Sequence, residues 1–139
     1  MKRQMLLLAA LLMVGLGAWA QKAEQNFNPK KLQVFAVGFY NQENLFDTCH
    51  DAGKNDYEYL PAKGWNSEKY TSKLKNMSRA LADMGTDVLP DAGCAFIGLA
   101  EVENANVLKD LTAQPPLKAR NMQFCHIEGP DKRGIDCAL

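Results

Sequence analysis

Hydrophobic and polar positions along the chain alternate between strand-like and helix-like segments. Residues 32–41 (LQVFAVGFYN) are rich in β-branched and aromatic side chains, which predicts a strand. Residues 67–84 carry apolar side chains at steps of four and three, which predicts an amphipathic helix. Its apolar stripe consists of Tyr70, Leu74, Met77, Leu81 and Met84. Residues 96–101 (FIGLAE) form a short apolar run, typical of a strand buried on both faces.

The remaining segments complete an alternating order of strands and helices. Residues 105–113 predict a shorter helix that ends before Pro115, and residues 122–127 and 135–139 predict two further strands. Residues 47–65 form a long loop, and loops of that length are usually functional or disordered. Three basic residues are expected on the solvated face of the longer helix: Lys73, Lys75 and Arg79. The order of these segments predicts a layered α/β core.

The first twenty residues have the pattern of a secretory signal peptide. A basic start is followed by an apolar run and by a small-x-small cleavage site that ends at Ala20. The run is short for a membrane span, and no cysteine follows it to carry a lipid, so no membrane anchor is expected after cleavage. We therefore expect an exported protein, periplasmic or extracellular, with a flexible leader at residues 21–31.

Charge narrows the range of partners. The whole chain has a formal net charge of 0, and loss of Lys2 and Arg3 with the signal peptide leaves −2. An acidic chain is a poor non-specific binder of nucleic-acid backbones, which attract basic surfaces. No obligate protein partner is implied by the sequence.

All four cysteines lie after the predicted cleavage site, and export would permit disulfides. If residues 122–127 and 135–139 form a hairpin centred on Asp131, Cys125 lies directly opposite Cys137. A cross-strand disulfide between them is then geometrically feasible. The alternative is that both are small buried hydrophobic residues, and the sequence does not decide between the two.

Polar side chains follow two of the predicted strands where each one ends. Glu101 ends one buried run and is followed at once by Glu103 and Asn104, while Asn41 stands at the end of the first strand. Ligand sites in α/β sheets favour the carboxyl ends of strands. If the two strands are neighbours, Asn41 and Glu101 converge at one sheet edge. A carboxylate with a carboxamide is a hard-oxygen donor set that suits Mg²⁺.

Three segments in this order, FYNQENLFD, GLAEVENANVL and HIEGPDKRGIDCAL, resemble the endonuclease/exonuclease/phosphatase superfamily with its deoxyribonuclease-I-like fold. The exported Bacteroides-type branch is the most similar. The resemblance covers residues 32–139. It implies an α/β (α+β) four-layer sandwich, in which two sheets pack face to face with helices outside. It also implies hydrolysis of phosphodiester or phosphomonoester bonds with a divalent metal, foremost Mg²⁺, with Mn²⁺ or Ca²⁺ as alternatives.

The resemblance also implies roles for single residues. Glu101 matches the metal-ligand glutamate and Asn41 the asparagine that helps to bind metal and phosphate, so both are expected to be catalytic. Arg133 is expected to meet a substrate phosphate, since its guanidinium is a planar cationic fork. Supporting roles fall to Glu103, Asn104 and Asp136, and Asp136 has a structural role as its alternative. The sequence departs from the family pattern at Gln42, where Val is common, and at Gly129, where Ser is common.

The family's remaining catalytic motifs, an Asp-x-Asn pair and a late Asp-His pair, come after the region that this chain matches. We therefore expect residues 32–139 to be an incomplete domain, the N-terminal half of the sandwich, and the 139 residues alone to be inactive. The expected partner is a phosphate-ester substrate, with nucleic acid as one option. The alternative function is that of a non-catalytic remnant that binds only metal or phosphate.

Overall fold

The computed structural model describes residues 33–139. The predicted signal peptide and leader lie outside the described residues. Three strands are present, β1 (Ala36–Leu45), β2 (Cys94–Val102) and β3 (Asp136–Ala138). Three helices accompany them, α1 (Ser67–Asp83), α2 (Ala105–Thr112) and α3 (Pro115–Ala119). The long loop contains two 3₁₀ turns, Tyr57–Tyr59 and Pro61–Lys63.

The strands form one mixed sheet in the order β1-β2-β3. β1 and β2 are parallel neighbours joined through α1, and β3 is antiparallel to β2. Asn41 pairs with Ala100 and Leu45 pairs with Val102, so residues 42–44 of β1 face Glu101 alone. This irregularity is a three-residue bulge near the carboxyl end of β1. The parallel pairing meets the condition, left open by the sequence, that the two strands are neighbours.

The core lies between the sheet and the helices. The predicted stripe of α1 is confirmed, with Leu74 and Leu81 buried. They pack in one cluster with side chains from β2, α2 and α3, namely Ile97, Leu99, Val102, Val107, Leu108, Leu111 and Leu117. The Asn66 side chain caps α1 by accepting a hydrogen bond from the Lys69 amide at 3.0 Å.

The opposite side of the sheet carries apolar side chains that are exposed in this structure. Val37, Phe39 and Phe96 are 73%, 68% and 55% exposed.

The strands and helices given above confirm the mixed α/β class. The described residues build a single three-stranded sheet, so a second packed sheet stays a prediction. No helix within residues 33–139 combines the length and the apolar character needed to cross a membrane.

In the last third of the chain one helix was missed and one predicted strand was wrong. The helix predicted over residues 105–113 ends before Pro115 as expected, but Pro115 then begins the short helix α3. Proline is well tolerated in the first turn, where its missing N–H has no partner to lose. Residues 122–127 do not form a strand. Only His126 bridges to the sheet, opposite Ala138.

The same region corrects the proposed pairing of Cys125 with Cys137. The backbone of Cys125 is hydrogen-bonded in both directions to Leu139, at 2.6 and 3.0 Å, so the pairing is centred on Lys132 and not on Asp131. The Gly134 amide closes the turn by donating to the Asp131 carbonyl at 3.2 Å. The shift by one residue moves each partner by two positions. Both cysteines are free and exposed in this structure.

Candidate functional site

Glu101 lies at the carboxyl end of β2 in a left-handed backbone conformation, with φ of 60°. Its half-buried carboxylate accepts a hydrogen bond through Oε2 from the amide of Asn44, at 3.0 Å. Glu43 and Asn44 in the facing bulge also have positive φ, at 51° and 59°. Such conformations cost about 1–2 kcal/mol for residues with a Cβ, and they cluster at functional sites. Glu101, which the sequence singled out, and two residues of the facing bulge therefore all have strained backbone conformations.

Asn41 lies beside Glu101, in the position that the parallel pairing predicts. Its side chain is exposed, and its Oδ1 accepts a hydrogen bond from the amide of Glu43 at 2.7 Å. This contact is a side-chain turn of the kind that asparagine favours. The structure therefore brings Asn41 and Glu101 to one edge and also gives Asn41 a role in shaping the bulge.

Glu103 is buried, in contrast to the partly exposed Glu101. Its side chain is 3% exposed, and its Oε2 accepts a hydrogen bond from the Asp47 amide at 2.7 Å. The other oxygen, Oε1, has no hydrogen-bond partner among the described residues. Burial raises the pKa of Glu103 to about 8, helped by the nearby carboxylates of Asp47 and Asp51 and opposed by the Asp47 amide. Glu103 anchors the start of the long loop.

Asn104 joins the same motif to α2 and to the long loop. Its Oδ1 caps α2 by accepting hydrogen bonds from the amides of Asn106 and Val107, at 2.9 and 3.0 Å. Its Nδ2 donates to Asp51 Oδ2 at 3.2 Å. These contacts give Asn104 a supporting role in which its own side chain holds two segments together.

Side chains on α1 and just before it donate to backbone carbonyl groups at the bulge and just after it. Lys73 Nζ donates to the carbonyl oxygens of Glu43 and Asn44, and Trp65 Nε1 donates to those of Phe46 and Asp47 at 3.1 and 2.7 Å. The Lys73 ammonium also lies 5.8 Å from the centre of the Trp65 ring.

The environment of Lys73 corrects its predicted place on a solvated face. Burial lowers the pKa of Lys73, an effect opposed by Glu43 and Glu101, whereas Lys75 and Arg79 are exposed as expected. Sequence periodicity placed all three on the polar side of the helix and carried no signal that Lys73 contacts β1.

The long loop is ordered around a buried carboxylate. Asp56 is 1% exposed and accepts hydrogen bonds from the His50 ring and from the Asp51 amide, the latter at 2.7 Å. Burial alone would raise the pKa of Asp56, but these hydrogen bonds outweigh it and hold the pKa below its ordinary value.

The loop also docks on the third motif. Lys54 pairs with Glu128 at 2.9 Å, and the Asn55 amide donates to the Lys132 carbonyl at 2.8 Å. The loop therefore connects all three sequence motifs, since Asp47 and Asp51 contact the second one. The loop is ordered in this structure, which argues against the disordered alternative, and the functional alternative stays a prediction.

Arg133 and Asp136 differ in their surroundings. Arg133 is exposed, and its amide donates to Asp131 Oδ1 at 2.7 Å in the turn. Asp136 is buried and accepts hydrogen bonds from His126 Nε2 at 3.0 Å and from the Gly129 amide at 2.8 Å. A Cβ at Gly129 would lie 2.7 Å from Asp136 Oδ1, so a serine there would require a shift. The contacts of Asp136 fit the structural alternative.

Tyr59, in the long loop, contacts the first motif. Its ring stacks on Phe46 with centroids 4.1 Å apart. Burial raises the pKa of Tyr59, Glu58 and Glu101 add to the effect, and Arg133 opposes it. The half-buried Tyr59 ring thus packs the long loop against the first motif.

The donor set at this edge consists of hard oxygens. Within residues 33–139 there is no group of three or more His, Cys, Asp or Glu side chains arranged to hold a metal ion. Mg²⁺ does not require such a cage, because it keeps several waters and is usually held by one or two carboxylates with substrate phosphates. Glu101 supplies a carboxylate and Asn41 a carboxamide, both donor types that suit such an ion, and one oxygen of Glu101 already accepts a hydrogen bond from the Asn44 amide.

Comparison with known proteins identifies the family of this chain. The model of the endonuclease/exonuclease/phosphatase family matches residues 36–139. The match spans most of the chain and includes all three motifs, so this protein belongs to that family. Neither the curated proteins nor the solved structures contain a match to the chain.

Proposed function

We propose that this protein is an exported, metal-dependent phosphoesterase. The observation that carries the proposal is the position of Glu101 at the carboxyl end of β2, held by the Asn44 amide at 3.0 Å beside Asn41. Family membership supports a phosphoesterase or nuclease chemistry. The substrate class that we propose is a phosphodiester or phosphomonoester, with extracellular nucleic acid as one candidate.

Each residue has a defined task in this proposal. Glu101 and Asn41 hold the divalent ion, foremost Mg²⁺, with Mn²⁺ or Ca²⁺ as alternatives. The ion supplies a positive charge that offsets the charge developing on the phosphate ester. Arg133 binds a phosphate oxygen in this proposal, because its guanidinium is exposed, with Nε 3.5 Å from Asp131 Oδ1, and its planar fork suits a phosphate. Glu103, Asn104 and Asp136 keep the loops in place through the contacts described above.

The first experiment measures metal binding. The purified protein is titrated with Mn²⁺ and Mg²⁺ by calorimetry, and Glu101→Gln is compared with the matched control Glu68→Gln on the exposed surface of α1. We expect the wild-type protein and the control to bind with equal affinity. Glu101→Gln is expected to lose binding, because a carboxamide lacks the charge of the carboxylate. Equal binding by Glu101→Gln would refute the assignment of Glu101.

The second experiment measures hydrolysis of bis(p-nitrophenyl) phosphate and p-nitrophenyl phosphate with Mg²⁺ and with a chelator, using the product of the whole gene. Glu101→Gln is expected to lower the rate by about 100-fold or more, since a catalytic metal supplies several kcal/mol of stabilisation. Metal binding without hydrolysis in that product would favour the alternative function, a non-catalytic metal- or phosphate-binding protein.

A further inference from the structure

Lys73 and Glu101 bind opposite ends of a single peptide group. The carbonyl oxygen of the peptide between Glu43 and Asn44 accepts a hydrogen bond from Lys73 Nζ. The N–H of that same peptide donates to Glu101 Oε2 at 3.0 Å. A cation at the carbonyl withdraws electron density from the amide and strengthens its N–H as a donor. Lys73 is thereby linked to Glu101 through one polarisable group.

A second peptide group repeats this arrangement without a charge. The carbonyl oxygen of the peptide between Phe46 and Asp47 accepts a hydrogen bond from Trp65 Nε1 at 3.1 Å. The N–H of that peptide donates to Glu103 Oε2 at 2.7 Å. Both carboxylates of the second motif therefore accept hydrogen bonds from peptide groups that are held by Lys73 on α1 or by Trp65 just before it. Only the connection to Glu101 begins at a cation.

The surroundings of Lys73 show that its charge serves the backbone. The side chain is half-buried, and no carboxylate within the described part of the chain lies at salt-bridge distance from its ammonium. Its hydrogen-bond acceptors are the carbonyls of Glu43 and Asn44, both of which have positive φ. The ammonium offsets the cost of this backbone conformation, and the conformation points the Asn44 amide at Glu101.

We propose that Lys73 is a positioning residue for Glu101 and acts through the peptide group between Glu43 and Asn44. Lys73 touches neither substrate nor metal in this proposal. It fixes the direction of the Glu101 carboxylate and holds one of its oxygens in place. As a role in metal binding, the inference rests on the proposed function. As a connection between two side chains, it is testable without it.

The test compares Lys73→Met, Lys73→Gln and Lys73→Arg with the control Lys75→Met, whose exposed side chain lies on the same helix. The first readout is the amide resonance of Asn44 in the ¹H–¹⁵N spectrum of the purified protein without metal. We expect Lys73→Met and Lys73→Gln to move that amide proton upfield, as the hydrogen bond to Glu101 weakens. Lys73→Arg is expected to restore it, and the Asp47 amide serves as an internal control.

The second readout is Mn²⁺ affinity. Loss of an outer-shell partner typically weakens metal binding by 10- to 100-fold, so Lys73→Met is expected to weaken it by about 10-fold or more. Lys73→Arg is expected to retain most of the affinity. An unchanged Asn44 resonance in a folded Lys73→Met or Lys73→Gln variant would overturn the inference. Failure of the wild-type protein to bind Mn²⁺ would instead refute the proposed function, and the Asn44 resonance would still decide the role of Lys73.

Discussion

The Asn44 amide donates to the Glu101 carboxylate, and both residues have left-handed backbones with φ of 59° and 60°. The contact therefore joins two strained positions on adjacent parallel strands. Such positions persist only where the surrounding structure fixes them. Here the fixing groups are the Asn41 side chain and the Lys73 ammonium, which hold the backbone between them.

Replacing Glu43 by glycine is expected to stabilise the protein. Glu43 has an exposed side chain and φ of 51°, which glycine adopts without the steric cost that other residues meet. We expect Glu43→Gly to raise the free energy of unfolding by up to about 1 kcal/mol, measured by urea denaturation. Glu43→Ala is the matched control, because it removes the side chain and keeps the Cβ. An equal gain in both variants would show that backbone strain is not the cause.

Gln42 is expected to weaken the fold, and valine in its place should strengthen it. The side chain is 0% exposed, and neither its Oε1 nor its Nε2 has a hydrogen-bond partner among the described residues. An unpaired buried polar group costs about 1–3 kcal/mol, so Gln42→Val should raise the unfolding free energy by a similar amount. The exposed Gln123→Val should change it little. A destabilised Gln42→Val variant would indicate that a buried water satisfies the amide.

Asp56 is expected to make stability depend on pH at the acid end. Its folded pKa lies below the ordinary value of 3.8, so its contribution is present above that pH and disappears as the pH falls through the folded pKa. Asp56→Asn should cost about 2 kcal/mol near neutral pH, because hydrogen bonds to a charged acceptor are lost. Denaturation of both proteins at about pH 7 and about pH 3 should show the difference shrinking with acid. A constant difference would contradict the prediction.

Arg120 is expected to contribute more to the free energy of unfolding than a surface arginine usually does. Its guanidinium donates to the carbonyls of Ala82, Ala92 and Cys94, which join the end of α1 to the start of β2. Arg120→Gln should lower the unfolding free energy by about 2–3 kcal/mol, since several charge-assisted hydrogen bonds are lost. The exposed Arg79→Gln is the control, with a change within about 0.5 kcal/mol. Equal values for the two variants would argue against the bridging role.

Sequence patterns predicted those parts of the fold that depend on local periodicity. The apolar stripe of α1 and the apolar run of β2 locate both elements to within about two residues. The placement of Asn41 and Glu101 at one sheet edge was conditional on the two strands being neighbours, and the parallel pairing of β1 with β2 meets that condition. The second sheet that the family resemblance implies stays a prediction.

Contacts between distant segments were not predictable in this way. Lys73 has the spacing of a solvated residue, and only the bulge in β1 brings carbonyl groups within its reach. The register of Cys125 depended on a turn whose centre lies one residue later than the composition indicated. Asp56 was one of many polar residues in a loop without periodicity. Its contacts with His50 and Asp51 lie within the loop itself, but the loop has no periodicity that would mark Asp56 as the buried residue.

The bulge in β1 determines which substitutions and insertions the first motif tolerates. Lys73 and Glu101 contact the main chain of residues 43 and 44, and the Glu43 side chain itself is exposed. The number of residues in this segment is thus more constrained than the identity of the side chains at positions 43 and 44. Inserting or deleting one residue between Asn41 and Leu45 would rotate the peptide groups away from both partners. Length, more than chemical composition, is the quantity that this segment must preserve.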